Sequence, residues 1–162
     1  LGFSVLRFNY RGVGKSEGEY SGDDGLGEMT DSACALDWLL FNNTESTNVW
    51  VAGFSFGAFI ALNLLMRRPE IGGFVAISPP ADKYDFSFLA PCPVSGLIVQ
   101  GNGDDIVNET DVALFANKLD SQRAINVKYK KIKNADHFFK GHLETINTEV
   151  KKYILKSLGT NY

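Results

Sequence analysis

The chain has 162 residues, with 16 Lys and Arg against 19 Asp and Glu and a formal net charge of −3. Hydrophobic residues at 44% and charged residues at 22% are the proportions of a folded globular domain; they exclude a disordered or fibrous chain and, at this length, point to one domain over residues 1–162. No apolar run approaches the roughly 20 residues that cross a bilayer. The densest basic stretch, Lys128-Tyr129-Lys130-Lys131, reads as alternating positions on a strand edge, so neither membrane nor nucleic acid is an expected partner.

In chain order, a β-rich run at Phe3–Tyr10 comes first, then a glycine-rich acidic loop and a helical stretch at Leu26–Phe41. A strand at Asn48–Gly53 runs into an apolar helix at Phe56–Arg68, which Pro69 stops. Gly73–Ile77 and Ser95–Gln100 are further strands, separated by a proline-rich loop from Ser78 to Val94 that is too short for a cap domain. Glu109–Leu119 reads as a helix, Asn126–Ile132 as a strand, and Leu143–Leu158 as the last helix, ended by Gly159. Several strands, such as Val49-Trp-Val-Ala52, lack polar alternation, as expected where both faces are covered. Strand and helix alternate throughout, so the expected class is α/β with a mainly parallel sheet flanked by helices. Cys34 and Cys92 are too few for a disulfide framework, show no metal-ligand spacing and read as small packing residues, which suits a reducing, cytoplasmic compartment. The chain begins at Leu1 and enters its first strand almost at once, which leads us to expect a beginning in mid-fold.

Chemistry concentrates at Gly53-Phe54-Ser55-Phe56-Gly57, a G-x-S-x-G between a buried strand and an apolar helix. In that setting the serine occupies a strained turn that lifts its hydroxyl above the sheet, and the flanking glycines remove side chains that would collide. The helix behind it aims N–H groups and a positive dipole end at developing negative charge. The bland alternative is that Ser55 only caps the helix. A serine nucleophile needs a base, and only two histidines are present. His137 lies in the loop after the last strand, beyond the carboxyl ends of the sheet where active sites gather; His142, at the start of the last helix, reads as a capping or surface residue. An acid to orient the imidazole is expected just after Leu97–Gly101, where Asp104 and Asp105 both stand, while Asp136 is too close to His137 in sequence to grip its ring from behind. The order Ser…Asp…His is that of an α/β-hydrolase.

Two competing motifs fail. Gly12-Val-Gly-Lys-Ser16 resembles the end of a phosphate-binding loop, but Asn9 stands where its first glycine belongs and an acidic loop follows instead of a helix. Glu17 replaces the third glycine of a dinucleotide fingerprint.

Together these segments resemble a small cap-free group of α/β-hydrolases. Leu6-Arg-Phe-Asn-Tyr-Arg-Gly-Val-Gly-Lys-Ser-Glu-Gly18 is similar to one of the family's strand–loop segments and Gly53–Gly57 to its nucleophile elbow. Gly101-Asn-Gly-Asp-Asp-Ile-Val-Asn108 is similar to its acid loop and Ala135-Asp-His-Phe-Phe139 to its histidine loop. The likeness runs from Leu1 to near Leu158. It implies that Asp104, rather than Asp105, is the acid, with Asn108 in place of a usual proline. It also implies a sheet of about eight strands, of which about five remain here, so that the chain is the C-terminal part of a larger domain. One oxyanion donor would then lie upstream, and the other is the backbone N–H of Phe56. The implied activity is serine hydrolysis of small carboxylic esters by Ser55, His137 and Asp104 through an acyl-enzyme. Phe54 and Phe56 would wall an open cleft for a small-molecule acyl substrate, and no cofactor or metal is called for. The alternatives are a non-catalytic fragment of the fold and a hydrolase of another acyl bond, thioester or amide.

Overall fold

In the computed structural model, which describes residues 1–20 and 22–159, the helices and strands alternate as the hydrophobic pattern requires. Helix α1 spans Leu26–Phe41, strand β1 Val49–Phe54, helix α2 Phe56–Leu65 and strand β2 Ile71–Ile77. Strand β3 spans Gly96–Gly101, helix α3 Glu109–Asp120, strand β4 Val127–Ile132 and helix α4 Leu143–Ser157. The strands lie side by side in the order β1-β2-β3-β4, all parallel. Successive strands are therefore neighbours, and each crossover is helical except that between β2 and β3. There the proline-rich loop holds one turn of 3-10 helix, Ser87–Leu89.

Two apolar layers hold the sheet. On one face Leu62, Leu65 and Ala58 of α2 and Val112, Phe115 and Leu119 of α3 pack with Phe74, Ala76 and Ile98 of the sheet. On the other, Val75, Leu97 and Val99 meet Tyr153 of α4, with Ile146, Val150 and Ile154 partly buried beside them. Helix α2 lies between the sheet and α1, which explains its nearly uniform apolar sequence. β3, a central strand, is buried at every residue, whereas β4, an edge strand, is buried only at its end residues Val127 and Ile132. Lys130 and Lys131 of β4 pair with Glu149 of α4 and Glu109 of α3 at 2.9 Å each, so two of the three lysines in that basic stretch are paired locally. Helix α2 ends short of the expected Arg68. Arg68 instead turns back to Asp37 of α1 and to Glu70, both at 2.5 Å, and ties α1 to the start of β2.

The expected first strand is absent: Phe3–Tyr10 makes no ladder with β1, and among the described residues the sheet has four strands rather than about five. The cause is pairing. An extended segment becomes a strand only when a neighbour answers its N–H and C=O groups. Here Leu6, Phe8 and Tyr10 face Trp50, Val51 and Ala52 across a cavity of about 130 Å³. Cys92 is buried as expected, but Cys34 is exposed on α1. No described helix is long and apolar enough to cross a membrane.

Candidate active site

Ser55 stands between β1 and α2 with φ 53° and ψ −124°, a conformation that L-residues rarely adopt and that is held only by surrounding structure. Its N–H donates to Ile77 O at 2.8 Å, which anchors the turn to β2. Gly53 is required here, because a Cβ on it would run into the Gly57 carbonyl and Ala58. Gly57 is not under the same constraint: the nearest atom to a Cβ there is the Tyr10 hydroxyl at 3.9 Å. The expected collision therefore holds for the first glycine only, because the chain folds back over Gly53 and leaves room for a Cβ at Gly57. Ser55 makes no side-chain cap to α2, so the helix-capping alternative fails.

The acid and histidine loops are locked together beyond the ends of β3 and β4. Gly103 N–H donates to Ala135 O at 3.0 Å, and Asn134 N–H donates to Asn102 Oδ1 at 2.6 Å. Gly101 permits the approach, since a Cβ there would strike Ala135 O. This crossing brings together the three predicted residues: His137 Nε2 lies 3.1 Å from Ser55 Oγ, and His137 Nδ1 lies 2.8 Å from Asp104 Oδ2. The His137 side chain is 4% exposed, and the Asp104 side chain is fully buried. Asp104 Oδ1 accepts from the N–H groups of Ile106 and Val107 at 2.9 and 2.8 Å, while Oδ2 also accepts from Gln100 Nε2 at 2.9 Å. Burial pushes the Asp104 pKa up, but the hydrogen bonds from Val107 N–H, His137, Ile106 N–H and Gln100 outweigh it and hold the carboxyl below the usual range.

The residues set aside by sequence lie elsewhere. Asp105 is exposed, Asp136 accepts from Lys140 N–H at 2.8 Å, and His142 precedes α4 without a side-chain cap. Asn108 caps α3, its side chain accepting from Thr110 N–H at 2.8 Å, with φ −67°, a value a proline would also hold. The Gly12–Ser16 loop makes turns with no helix behind it, and Arg11 beside it is spent on Asp31 at 2.6 Å. Among the described residues no group of three or more His, Cys, Asp or Glu is placed to hold a metal ion.

Two aromatic residues flank the serine. The Phe54 ring lies 4.9 Å from the His137 ring and 6.1 Å from Phe138, and it lines an apolar cavity of about 430 Å³ with Ile77, Phe138, Leu143, Ile146 and Val150. The Phe56 ring turns the other way, towards Tyr10, Phe59 and Tyr84, so it is engaged in packing. Its backbone N–H heads α2, where no carbonyl one turn back can accept it. Sequence reading missed Gln100 and Phe138; the signal for Gln100 was a lone polar side chain in an otherwise apolar strand.

A parallel sheet with a serine on a strained strand-to-helix turn, and an acid and a histidine on later loops, defines the α/β-hydrolase class. Comparison with known proteins agrees. Residues 1–150 match the sequence profile of the X-Pro dipeptidyl-peptidase (S15) family, and the chain belongs to that family within the cap-free α/β serine hydrolases. An uncharacterized protein of Rickettsia prowazekii is 48% identical over 165 residues, spanning 99% of this chain and 68% of its own length. An Agrobacterium tumefaciens protein of unknown function, described as an α/β-hydrolase, superposes with a TM-score of 0.92 at 47% identity, covering 98% of this chain and 72% of that one. A Xanthomonas campestris serine hydrolase without a lid has a TM-score of 0.79 at 30% identity, covering 93% and 65%.

Proposed function

We propose that the protein is a serine hydrolase that cleaves small carboxylic esters, with Ser55 as nucleophile, His137 as general base and acid, and Asp104 as the residue that orients His137. The observation that carries this reading is the unbroken chain of contacts from Ser55 Oγ to His137 Nε2 and from His137 Nδ1 to Asp104 Oδ2, at 3.1 and 2.8 Å, in a buried setting. Ser55 Oγ attacks the ester carbonyl while Nε2 takes its proton, and Asp104 stabilises the imidazolium that forms. The oxyanion faces the N–H of Phe56 and the positive end of α2. His137 returns the proton to the departing alkoxide, leaving an acyl-serine. Water, deprotonated by the same imidazole, then attacks the acyl-serine, and the proton passes from His137 to Ser55 Oγ as the acid leaves. As written, the reaction draws on no cofactor. Phe54, beside His137, contacts the apolar part of the acyl substrate, and the short loop from Ser78 to Val94 favours small substrates over bulk lipid. Two free cysteines fit a reducing, cytoplasmic setting.

The matched family's own description favours a second reading, cleavage of an amide bond. Turnover of p-nitrophenyl acetate beside that of a Xaa-Pro p-nitroanilide separates the two. A fluorophosphonate probe should label Ser55 in the wild type and not in Ser55→Ala; a wild type that resists labelling and turns over neither substrate would leave the fold as a non-catalytic module.

A further inference from the structure

Gln100 is the only residue of β3 with a polar side chain, and it is fully buried. Its Nε2 donates to Asp104 Oδ2 at 2.9 Å, with longer approaches to Gly101 O at 3.3 Å and Val107 O at 3.4 Å. The same Oδ2 accepts from His137 Nδ1 at 2.8 Å. The two backbone N–H groups on Oδ1 pin one end of the carboxylate. The other end is pinned by Gln100, so four donors meet the four lone-pair sites of a carboxylate. The amide orientation follows from chemistry, because the reverse would set Oε1 against an acceptor-only group. Oε1 itself has no hydrogen-bond partner among the described residues. A methionine of similar length would fill this space without burying an unanswered carbonyl. What glutamine adds is the donor.

We propose that Gln100 is a positioning residue: its amide N–H holds Asp104 Oδ2 where that oxygen meets His137 Nδ1. The imidazole is thereby kept in the tautomer whose Nε2 is free to accept the Ser55 proton. That this alignment serves catalysis rests on the hydrolase reading given above.

Gln100→Met removes the donor and keeps the volume. On p-nitrophenyl acetate, kcat should fall about 10–100-fold while KM stays within about threefold. Two spectra report on alignment independently of turnover. The Asp104 carboxyl carbon should titrate at higher pH in the variant, having lost a donor to its anion. The proton shared by His137 Nδ1 and Asp104 should be sharp in the wild type and broaden in the variant through faster exchange with water; His142→Ala leaves one imidazole and makes the assignment. Circular dichroism and thermal unfolding check the fold. Where methionine does not fold, Gln100→Asn keeps a buried amide but withdraws it from Oδ2 by one methylene, and the same changes are expected. An unchanged Asp104 titration with an unbroadened His137 proton overturns the proposal, whatever the rates do. Wild-type protein without ester turnover removes the esterase reading instead, and the two spectra still decide whether Gln100 aligns Asp104.

Discussion

Replacing Asp104 with asparagine tests the proposed mechanism through its hydrogen-bond arithmetic. Oδ1 receives two backbone N–H groups, so the asparagine must place its carbonyl there. Its NH₂ then faces His137 Nδ1 and Gln100 Nε2, both donors in the wild type. His137 must answer by becoming an acceptor at Nδ1, which moves its proton to Nε2. An imidazole with Nε2–H donates to Ser55 and has no lone pair there to take the serine proton. The expected loss in kcat is about 10³–10⁴-fold, the scale set by a wrong tautomer in serine hydrolases. Stability should change much less. Gln100 can turn its unpartnered Oε1 towards the new amide, so the net cost is about 1 kcal/mol, one misplaced hydrogen bond. Asp105→Asn removes an exposed carboxylate and should leave kcat within about twofold. Steady-state hydrolysis of p-nitrophenyl acetate, with urea unfolding of the same samples, separates these effects. A loss at Asp105 equal to that at Asp104, or an Asp104→Asn enzyme within tenfold of wild type, would refute the assignment of the acid.

His137→Ala should lower turnover by several orders of magnitude and His142→Ala by less than about threefold, measured on the same ester; comparable losses would show that the base is misassigned. Asp31, through the Arg11 guanidinium that donates to it, is held below the usual carboxylate range, as is Asp104. A lowered folded pKa contributes stability above the unfolded value, near 4, that is lost as pH falls through the folded value. Chemical unfolding at pH 6 and at pH 3 should therefore show a drop in wild type that is smaller in Asp104→Asn. Gly53→Ala should destabilise by more than about 2 kcal/mol, because its Cβ meets the Gly57 carbonyl, whereas Gly57→Ala should stay within about 1 kcal/mol; thermal unfolding ranks them.

Much of this protein was legible before any coordinate. The boundaries of α1, α3 and α4 follow from local signals, such as the helical spacing of Leu36, Leu39 and Leu40 and the glycine after Leu158. Strand, serine turn and apolar helix follow one another within Val49–Leu65, so the nucleophile and its helix are a short-range matter. Even His137 could be chosen over His142 from its place after a strand. Long-range closure is another matter. Whether Phe3–Tyr10 is a strand depends on a neighbour for its backbone, and its own residues, however β-rich, carry no record of one. Asp104 and Asp105 are equally placed by local spacing. The structure buries the first and exposes the second, because Gly101, Asn102 and Gly103 dock the acid loop on Ala135 and Asn134. Gln100 reads along the chain as a blemish in an apolar strand, and it acquires a partner only when the loop after β3 folds back over it. Side-chain periodicity records which way a residue faces; a hydrogen bond between residues 33 positions apart, such as that from His137 to Asp104, requires the two loops to be brought within 3 Å, and only the packed sheet does that.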